Sequence, residues 1–300
     1  MSTSIFEPMK PVEYAEPIVV AEIGCNHMGD IEIAKELIGL ARVCGANYAK
    51  FQKRNNRELL TEEQYNAPHP VPRNSFGSTY GEHREFLEFT RDQHRELIAH
   101  CDFIGLRYAT SVWDITSANE IIELNPDYIK IPSACNTNME LLTVMRDSYN
   151  GMVHVSTGMT TRQELTGIVE FFEASGANQR LVLYACTSGY PVPFKDVSLL
   201  EISRLSEGYG GRVAEIGFSG HHLGIAIDVA AYTLGARWIE RHFTKDRTWK
   251  GTDHAASLEP MGLQKLVRDL NATHQSLTFK SEEILPIEHE QRDKLKFRPR

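Results

Sequence analysis

The sequence predicts an α/β protein folded as a (β/α)8 TIM barrel, and three observations carry this prediction. Short β-branched runs recur along the chain, helix-like stretches separate them, and the runs are continuously apolar. A strand that is apolar on both faces is buried on both faces, which is typical of a parallel sheet covered by helices. Eight such units close into a barrel of about 250 residues. The predicted strands span residues 18–24, 48–52, 104–110, 127–133, 153–159, 181–187, 214–220 and 237–243.

The stretches between these strands have helical periodicity and helix-terminal signals. Residues 30–45 place apolar side chains at positions 33, 37, 40 and 41, which form one helical stripe. Asp30 is the expected N-cap of this helix and Gly45 its expected C-cap. Residues 82–101 and 161–176 are predicted as further helices, the last with a capping box between Thr160 or Thr161 and Glu164.

A doubly wound open sheet is the alternative arrangement of alternating strands and helices. Its dinucleotide-binding members carry a G-x-G-x-x-G turn after the first strand. Here the corresponding turn reads GCNHMGD over residues 24–30, which lacks that pattern. The barrel is therefore the preferred fold.

Three parts of the chain surround or interrupt the barrel. We expect an N-terminal extension over residues 1–17, forming a cap or small hairpin under the barrel, and the barrel itself over residues 18–278. Residues 279–300 lack a periodic pattern and are expected to form a solvated tail. Residues 53–81 form a predicted long loop with three prolines, and loops of that length are usually functional or disordered.

The composition excludes several classes of function. The net charge of −8 argues against nucleic-acid binding, which needs clustered Lys and Arg. No apolar run approaches the roughly 20 residues that span a bilayer. The acidic, proline-containing first twenty residues do not resemble a signal peptide. The five cysteines follow no disulfide framework, so we expect reduced thiols and a cytoplasmic protein.

Polar side chains end all eight predicted strands. Active sites of barrel enzymes lie at the C-terminal ends of the strands, where these side chains would meet. Lys50 and Lys130 are costly to bury without an anionic partner. Together with hydroxyl groups they predict a receptor for a small, multiply charged anion such as a phosphorylated carboxylate.

Two histidines at the ends of adjacent strands form a candidate metal site. His221 and His242 lie at matched positions, with Glu22 and Asp253 available as oxygen ligands. Such a set suits Mn²⁺, Mg²⁺ or Zn²⁺ acting as a Lewis acid on a carbonyl group. His222 and His254 are expected to support the site from behind or to lie on the surface.

An ordered series of motifs resembles the sialic acid synthases, which make N-acetylneuraminate and other nonulosonic acids. The resemblance covers roughly residues 17–290, and TYGEHREFLEF (79–89) and RTWKGTDHAASLEP (247–260) are most similar to the animal-type enzymes. The motifs are AEIGCNHMGD (21–30), KFQ (50–52), KIPS (130–133), STGM (156–159), CTSGYP (186–191), GFSGHH (217–222), ERHFT (240–244) and GTDHAASLEP (251–260).

This resemblance implies a (β/α)8 barrel enzyme that condenses phosphoenolpyruvate with an aldose and releases phosphate by C–O cleavage. The acceptor would be N-acetylmannosamine, its 6-phosphate or a related sugar, the cofactor a divalent metal, most often Mn²⁺ or Mg²⁺, and the assembly a homodimer. His221 and His242 match the metal ligands, and Glu22, Lys50 and Lys130 match catalytic residues. The implied substrate-binding residues are Gln52, Asn74, Thr110, Ser133, Ser156, Ser188, Tyr190, Ser219 and Asp253.

The chain also departs from the usual pattern of these synthases. Ala134 and Cys135 stand where a glycine and a sugar-binding acidic residue are usual, and Ser188 replaces an asparagine. No stretch of the 300 residues resembles the family's small C-terminal antifreeze-like domain. These departures predict an acceptor without an N-acetyl group. Two other functions stay open: a Schiff-base lysine aldolase on the same barrel, and a sugar-phosphate-binding barrel without catalysis.

Overall fold

Eight parallel strands form a closed barrel in which each strand pairs with its sequence neighbours and β8 pairs with β1. A computed structural model describes residues 14–297. This topology confirms the predicted (β/α)8 barrel. The strands are β1 (Ile18–Gly24), β2 (Tyr48–Lys53), β3 (Arg107–Val112), β4 (Tyr128–Ile131), β5 (Met152–Ser156), β6 (Leu181–Cys186), β7 (Glu215–Gly220) and β8 (Trp238–His242).

Helices surround the barrel and bury their apolar stripes against the outer face of the strands. The helices are α1 (Ile31–Val43), α2 (Asn56–Leu59), α3 (Glu62–Asn66), α4 (Tyr80–Phe86), α5 (Arg91–Ile104), α6 (Ile115–Ile122), α7 (Met139–Ser148), α8 (Arg162–Glu173), α9 (Glu201–Tyr209), α10 (Ala226–Thr233), α11 (Pro260–Ser276) and α12 (Pro286–Leu295). None of the helices within residues 14–297 combines the length and the apolar content that a bilayer crossing requires.

The predicted helix-terminal signals act locally as expected. The Asp30 side chain accepts hydrogen bonds from the backbone N–H groups of Glu32 and Ile33 and caps α1. Thr161 and Glu164 form the capping box of α8. The C-cap of α1 is Cys44, and Gly45 follows it with a φ of 88°, a conformation that favours glycine.

The inside of the barrel is layered. The lower layer is apolar and aromatic, with the Tyr48 and Tyr128 rings 5.1 Å apart and Trp238 against both. One pleat further along the strands the inward side chains become ionic, because Glu22 stands in register with Lys50 across β1 and β2. The aromatic layer closes the bottom, so the polar groups face the C-terminal mouth.

The segment from residue 82 to residue 110 differs from its prediction. The expected single helix is two helices, α4 and α5, because Thr90 forms a capping box with Gln93 and starts a new helix. Helix α5 then extends to Ile104 and ends at Gly105, whose φ is 72°. Strand β3 consequently begins at residue 107 and continues to Val112, two residues beyond the expected end.

The regions outside the barrel also differ in part from their predictions. Most of the N-terminal extension lies outside the described residues, but the Tyr14 hydroxyl donates to the Thr233 carbonyl at 2.9 Å. Residues 53–81 contain the short helices α2 and α3. The tail expected to be solvated contains a helix, α12, which has Pro286 at its first position and no buried residue.

His94 predicts a measurable acid sensitivity of the fold. It lies on α5 with Nδ1 2.6 Å from the Tyr108 hydroxyl, and burial together with Lys53 lowers its pKa from 6.5 to about 3. Since the folded pKa lies below the unfolded one, this contribution is complete above pH 6.5 and is lost as the pH falls toward 3.

His94→Gln is expected to flatten the pH dependence of the unfolding free energy by up to about 1.4 kcal/mol per pH unit in this window. Urea titrations at pH 7, 5.5 and 4 measure it. Parallel profiles for both proteins would contradict the assignment.

Candidate active site

A cavity of about 340 Å³ opens at the C-terminal ends of the strands. Most of the residues predicted for the site line this cavity, which brings together side chains from all eight strands. These are Glu22, Lys50, Gln52, Lys130, Ser133, Ser156, Ser188, Tyr190, Ser219, His221 and His242. Seven residues that were not predicted for the site complete the lining: Ser111, Trp113, Pro132, Ala134, Met159, Cys186 and Glu240.

Lys50 is buried in contact with the first carboxylate. Its ammonium forms an ion pair with Glu22 and donates to the Ser111 hydroxyl at 2.9 Å. Burial alone would lower the pKa of Lys50, but the carboxylates of Glu22 and Glu240 raise it above its ordinary value. The Gln52 amide donates to the other Glu22 oxygen at 2.8 Å and orients the carboxylate.

Lys130 is paired with a second carboxylate across the barrel. Its ammonium lies 2.7 Å from Glu240, which also accepts from the Ser219 hydroxyl at 3.2 Å. Burial lowers the pKa of Lys130 despite this carboxylate. Burial alone would raise the pKa of Glu240, but Lys130 and Lys50 lower it to about 2. Glu240 is therefore a carboxylate held between two ammonium groups.

These ion pairs correct the expectation that the buried lysines need an external anion as their partner. The sequence argument required an external anion as their partner, but Glu22 and Glu240 supply the opposite charges from within the chain. The positive charges of the two ammonium groups are therefore balanced by the negative charges of the two carboxylates. An anionic ligand would therefore have to share the ammonium groups with the carboxylates, or bind together with an additional cation.

Two glycines allow the polar groups to approach one another closely. Gly24 has a φ of 51°, and a Cβ there would lie 2.9 Å from both the Gln52 amide nitrogen and a Glu22 oxygen. Gly158 leaves space between two hydroxyls, since a Cβ would lie 2.5 Å from Ser188 Oγ and 2.7 Å from Ser133 Oγ. Any side chain at either position would disturb the cavity wall.

The two predicted metal ligands lie side by side at the cavity. The rings of His221 and His242 have centroids 5.4 Å apart. His221 Nδ1 donates to the Thr187 carbonyl at 3.1 Å, so its Nε2 carries the lone pair. Burial and the neighbouring His242 lower the pKa of His221 to about 3, which keeps this imidazole neutral. His242 Nδ1 is buried without a hydrogen-bond partner and lies 3.9 Å from Asp253.

The histidine pair fits a divalent cation as a partial ligand set. A metal-binding imidazole is neutral, and a backbone carbonyl commonly fixes its other nitrogen, as Thr187 does for His221. Among residues 14–297 no three His, Cys, Asp or Glu side chains converge as a metal site. Glu22 is held by Lys50 and Gln52 instead. The remaining coordination positions would need oxygen atoms from water or substrate.

Three residues predicted for the substrate lie outside the cavity lining. Thr110 is buried with its hydroxyl directed to the Ser111 carbonyl, and because strand side chains alternate, Ser111 faces the cavity instead. Asn74 is half-buried at the end of an otherwise exposed turn of 3₁₀-helix, Pro72–Asn74. Asp253 lies behind His242.

The other histidines and the substituted positions have defined surroundings. His222 is buried with Arg241 and Asp228, and His254 with Thr244, so neither lies on the surface. The Cys135 thiol faces backbone carbonyls, 3.8 Å from Val112 O, whereas its neighbour Ala134 lines the cavity.

Comparison with known proteins identifies the family. The model of the NeuB family matches residues 37–282, which is most of the chain. The chain belongs to the NeuB family. It is 38 % identical over 282 residues to N-acetylneuraminate-9-phosphate synthase of Homo sapiens, covering 92 % of this chain and 76 % of that protein. It is 32 % identical over 261 residues to N,N'-diacetyllegionaminic acid synthase of Campylobacter jejuni, covering 87 % and 77 %.

A solved NeuB-type structure has the same barrel. The N-acetylneuraminic acid (sialic acid) synthetase of Leptospira borgpetersenii, crystallised with citrate, superposes with a TM-score of 0.79 at 28 % identity, covering 95 % of this chain and 94 % of that one. The resemblance to sialic acid synthases drawn from the motifs is thereby confirmed. The chain is an enzyme of the NeuB family, and the relatives named above are synthases of nonulosonic acids.

Sequence reasoning missed Glu240 and Ser111 as cavity residues. Glu240 precedes His242 by two positions on one strand, so alternation alone places both side chains on the same face. Ser111 was missed because the predicted strand ended at residue 110, one position before it, whereas β3 ends at Val112. Trp113 carried no recognisable signal, since it follows the strand.

Proposed function

We propose that the chain condenses phosphoenolpyruvate with an aldose to give a nonulosonic or other 3-deoxy-2-keto sugar acid and phosphate. The observation that carries the proposal is the adjacency, in one cavity, of two buried ammonium groups and a pair of histidines. Ammonium groups bind phosphate and carboxylate, and a histidine pair suits a carbonyl-polarising cation. Membership of the NeuB family supports the same chemistry.

In this proposal the anionic substrate occupies the lysine side of the cavity. Lys50 and Lys130 bind its phosphate and carboxylate, and the hydroxyls of Ser133, Ser156 and Ser219 donate further hydrogen bonds. Because Glu22 and Glu240 already balance the lysines, binding a multiply charged anion there is favoured by an added cation. A cation held by the histidine pair therefore favours binding of the anion at the lysines.

His221 and His242 would hold that cation, Mn²⁺ or Mg²⁺ in the first instance. When bound, it supplies positive charge and polarises the acceptor's aldehyde oxygen. Asp253, 3.9 Å from His242, supports that ring from behind. Glu22 is the proton acceptor, since Gln52 holds one of its oxygens at 2.8 Å and its carboxylate lines the cavity.

C3 of phosphoenolpyruvate forms a bond to the aldehyde carbon, and the aldehyde oxygen takes up a proton to become a hydroxyl. Water adds to C2 and gives up a proton, for which Glu22 is the acceptor. The bond between C2 and the bridging oxygen then breaks, phosphate leaves with that oxygen and takes up the proton of the C2 hydroxyl, and C2 becomes the ketone.

An isotope experiment tests this course of bond cleavage. Phosphoenolpyruvate carrying a heavy oxygen isotope at its bridging position is incubated with the protein, Mn²⁺ and a panel of aldoses and aldose phosphates. We expect phosphate release only when a suitable aldose is present, with the label in the phosphate. Label in the keto acid would contradict the proposal. Phosphate release at the same rate with and without an aldose would contradict it as well. Absence of release across the panel would favour a non-catalytic binding barrel.

The residues that follow β4 bear on the identity of the acceptor sugar. Ala134 lines the cavity, and the Cys135 thiol faces the Val112 carbonyl instead. Neither residue offers a carboxylate that could bind a sugar. We infer an acceptor other than unmodified N-acetylmannosamine. The panel therefore includes N-acetylmannosamine, its 6-phosphate and mannose; the highest kcat/KM for N-acetylmannosamine would reject this inference.

A Schiff-base aldolase is the second candidate, and one observation favours it. Burial lowers the pKa of Lys130, a property that Schiff-base lysines share. Its ammonium is, however, paired with Glu240 at 2.7 Å, which stabilises the protonated form. Borohydride reduction in the presence of pyruvate is expected to leave the protein mass unchanged. A stable adduct on Lys130 would establish the aldolase instead.

A further inference from the structure

Arg241 is a fully buried arginine on β8, the strand that also carries His242. Because side chains on a strand alternate, Glu240 and His242 face the cavity while Arg241 lies on the opposite face, toward α10. Only 1 % of the residue is exposed to solvent. Burial of a guanidinium group is unfavourable unless its donors are paired, so its partners indicate the role of this residue.

The Arg241 guanidinium bonds β8 to two neighbouring elements. Nη2 donates to the His222 carbonyl at 2.6 Å, and Nη1 donates to the Gly224 carbonyl at 2.8 Å. Nη1 also forms an ion pair with Asp228, which lies in the first turn of α10. Nε has no hydrogen-bond partner among the described residues. One side chain therefore connects β8 both to the loop that follows β7 and to the helix that follows this loop.

The regular pairing of β7 with β8 stops just before the two histidines. The last pair in register is Gly220 with Arg241, and His221 and His242 each follow by one residue. The His221 carbonyl accepts a backbone hydrogen bond from the loop after β6 at 3.0 Å, whereas the His242 carbonyl accepts one from the loop after β8 at 2.7 Å. The two histidines are thus held by different loops. The bonds that Arg241 makes to the loop after β7 connect them where the strand pairing ends.

The buried charges favour a geometric role for this arginine over a stabilising one. The side chains of Arg241 and Asp228 are both inaccessible to solvent. Desolvation of such a pair offsets much of its attraction, so it contributes little to stability compared with apolar side chains of similar volume. Hydrogen bonds to two backbone carbonyls are directional, however, and they fix the path of the loop beside His221.

We propose that Arg241 is a positioning residue, which holds His221 at the separation from His242 at which both imidazoles bind one divalent cation. It acts through the backbone, because the carbonyl of His222 directly follows His221. Groups behind the ligands of a metal commonly orient those ligands and tune the affinity of the site. The inference rests on the proposed function, since a cation at the histidine pair is part of that proposal.

The affinity for Mn²⁺ in the absence of substrates tests this role. It is measured from the electron paramagnetic resonance signal of free Mn²⁺. Arg241→Met is expected to weaken binding by roughly 10- to 100-fold, and Arg241→Lys should bind with intermediate affinity because it keeps the charge and can donate to one carbonyl. Unchanged Mn²⁺ affinity in Arg241→Met would overturn the proposal, and so would a wild-type chain that binds no Mn²⁺.

Arg180 offers a matched control at the other end of the barrel. It precedes β6 and donates to three backbone carbonyls, those of Arg146, Tyr149 and Gly151. Arg180→Met therefore removes a similar set of loop contacts far from the histidine pair. Its Mn²⁺ affinity should equal that of the wild-type chain. An equal loss of affinity in Arg180→Met and Arg241→Met would show a general effect of loosened loops and overturn the proposal.

A double variant separates positioning from stability. Arg241→Met leaves the Asp228 carboxylate buried without its guanidinium partner and is expected to lower the urea midpoint of unfolding. Arg241→Met combined with Asp228→Leu leaves neither charge, so the midpoint should return close to the wild-type value while Mn²⁺ binding stays weak. If the single variant does not fold, the double variant and Arg241→Lys provide the test. Wild-type Mn²⁺ affinity in the double variant would show a purely structural role and overturn the proposal.

Phosphate release distinguishes this inference from the proposed function. Mn²⁺ binding that depends on Arg241, in a chain that releases no phosphate from phosphoenolpyruvate with any aldose, would reject the condensation and keep the positioning role. Wild-type phosphate release and Mn²⁺ affinity in Arg241→Met would keep the condensation and reject the positioning role.

Discussion

Replacement of His221 or His242 by alanine is expected to abolish both metal binding and phosphoenolpyruvate-dependent phosphate release. Each change removes one of two neighbouring imidazoles whose ring centroids are 5.4 Å apart, and no third His, Cys, Asp or Glu converges with them within residues 14–297. A two-histidine site has no ligand to spare. We expect the rate to fall by roughly a thousandfold or more, since the polarising charge is lost.

Metal content provides the readout that does not depend on activity. Manganese bound after dialysis, measured by elemental analysis, should approach zero in both variants and stay unchanged in His289→Ala, which alters an exposed histidine on α12. Full wild-type activity after exhaustive chelation, with the metal shown to be gone, would refute the metal assignment. Unaltered manganese binding by His221→Ala would do the same.

The second large effect is expected at the pair of Lys130 and Glu240. Lys130→Met leaves the Glu240 carboxylate buried, with Lys50 at 3.8 Å as its remaining ammonium partner. Removing one member of a buried pair typically costs about 3–5 kcal/mol of unfolding free energy. The kcat/KM for phosphoenolpyruvate should fall by roughly 30- to 5,000-fold, equivalent to about 2–5 kcal/mol of lost binding or transition-state stabilisation.

A double variant separates stability from catalysis. Lys130→Met combined with Glu240→Gln leaves no unpaired charge at this position, so the unfolding free energy should recover most of the loss while activity stays low. Lys245→Met, at an exposed pair with Glu36, is the control and should leave stability close to unchanged. Recovery of activity in the double variant would contradict a substrate role for Lys130.

Much of the barrel could be predicted because its determinants are local. Apolar runs of strand length indicate strands buried on both faces, and side chains such as Asp30 and Thr161 cap the helices that follow within a few residues. The predicted site also follows from a local rule. Side chains at the carboxyl ends of parallel strands meet at one mouth, so Lys50, Lys130 and the histidine pair could be placed together in advance.

Boundaries that depend on competing local signals were less predictable. The helix that ends at Gly105 takes residues that read equally well as a strand, and β3 runs two residues beyond its expected end, with Ser111 rather than Thr110 at the cavity. Because side chains on a strand alternate, the register of β3 with β2, which pairs Ser111 with Gln52, decides which of the two neighbours faces the cavity.

Charge pairing inside the cavity required the closed barrel. Sequence alone determined that lysines, hydroxyls and histidines stand at strand ends. Only the tertiary structure showed that Glu240, 110 residues from Lys130, neutralises it. Electrostatic compensation depends on distances between side chains that are remote in sequence, and these distances are set when the first and last strands of the barrel meet.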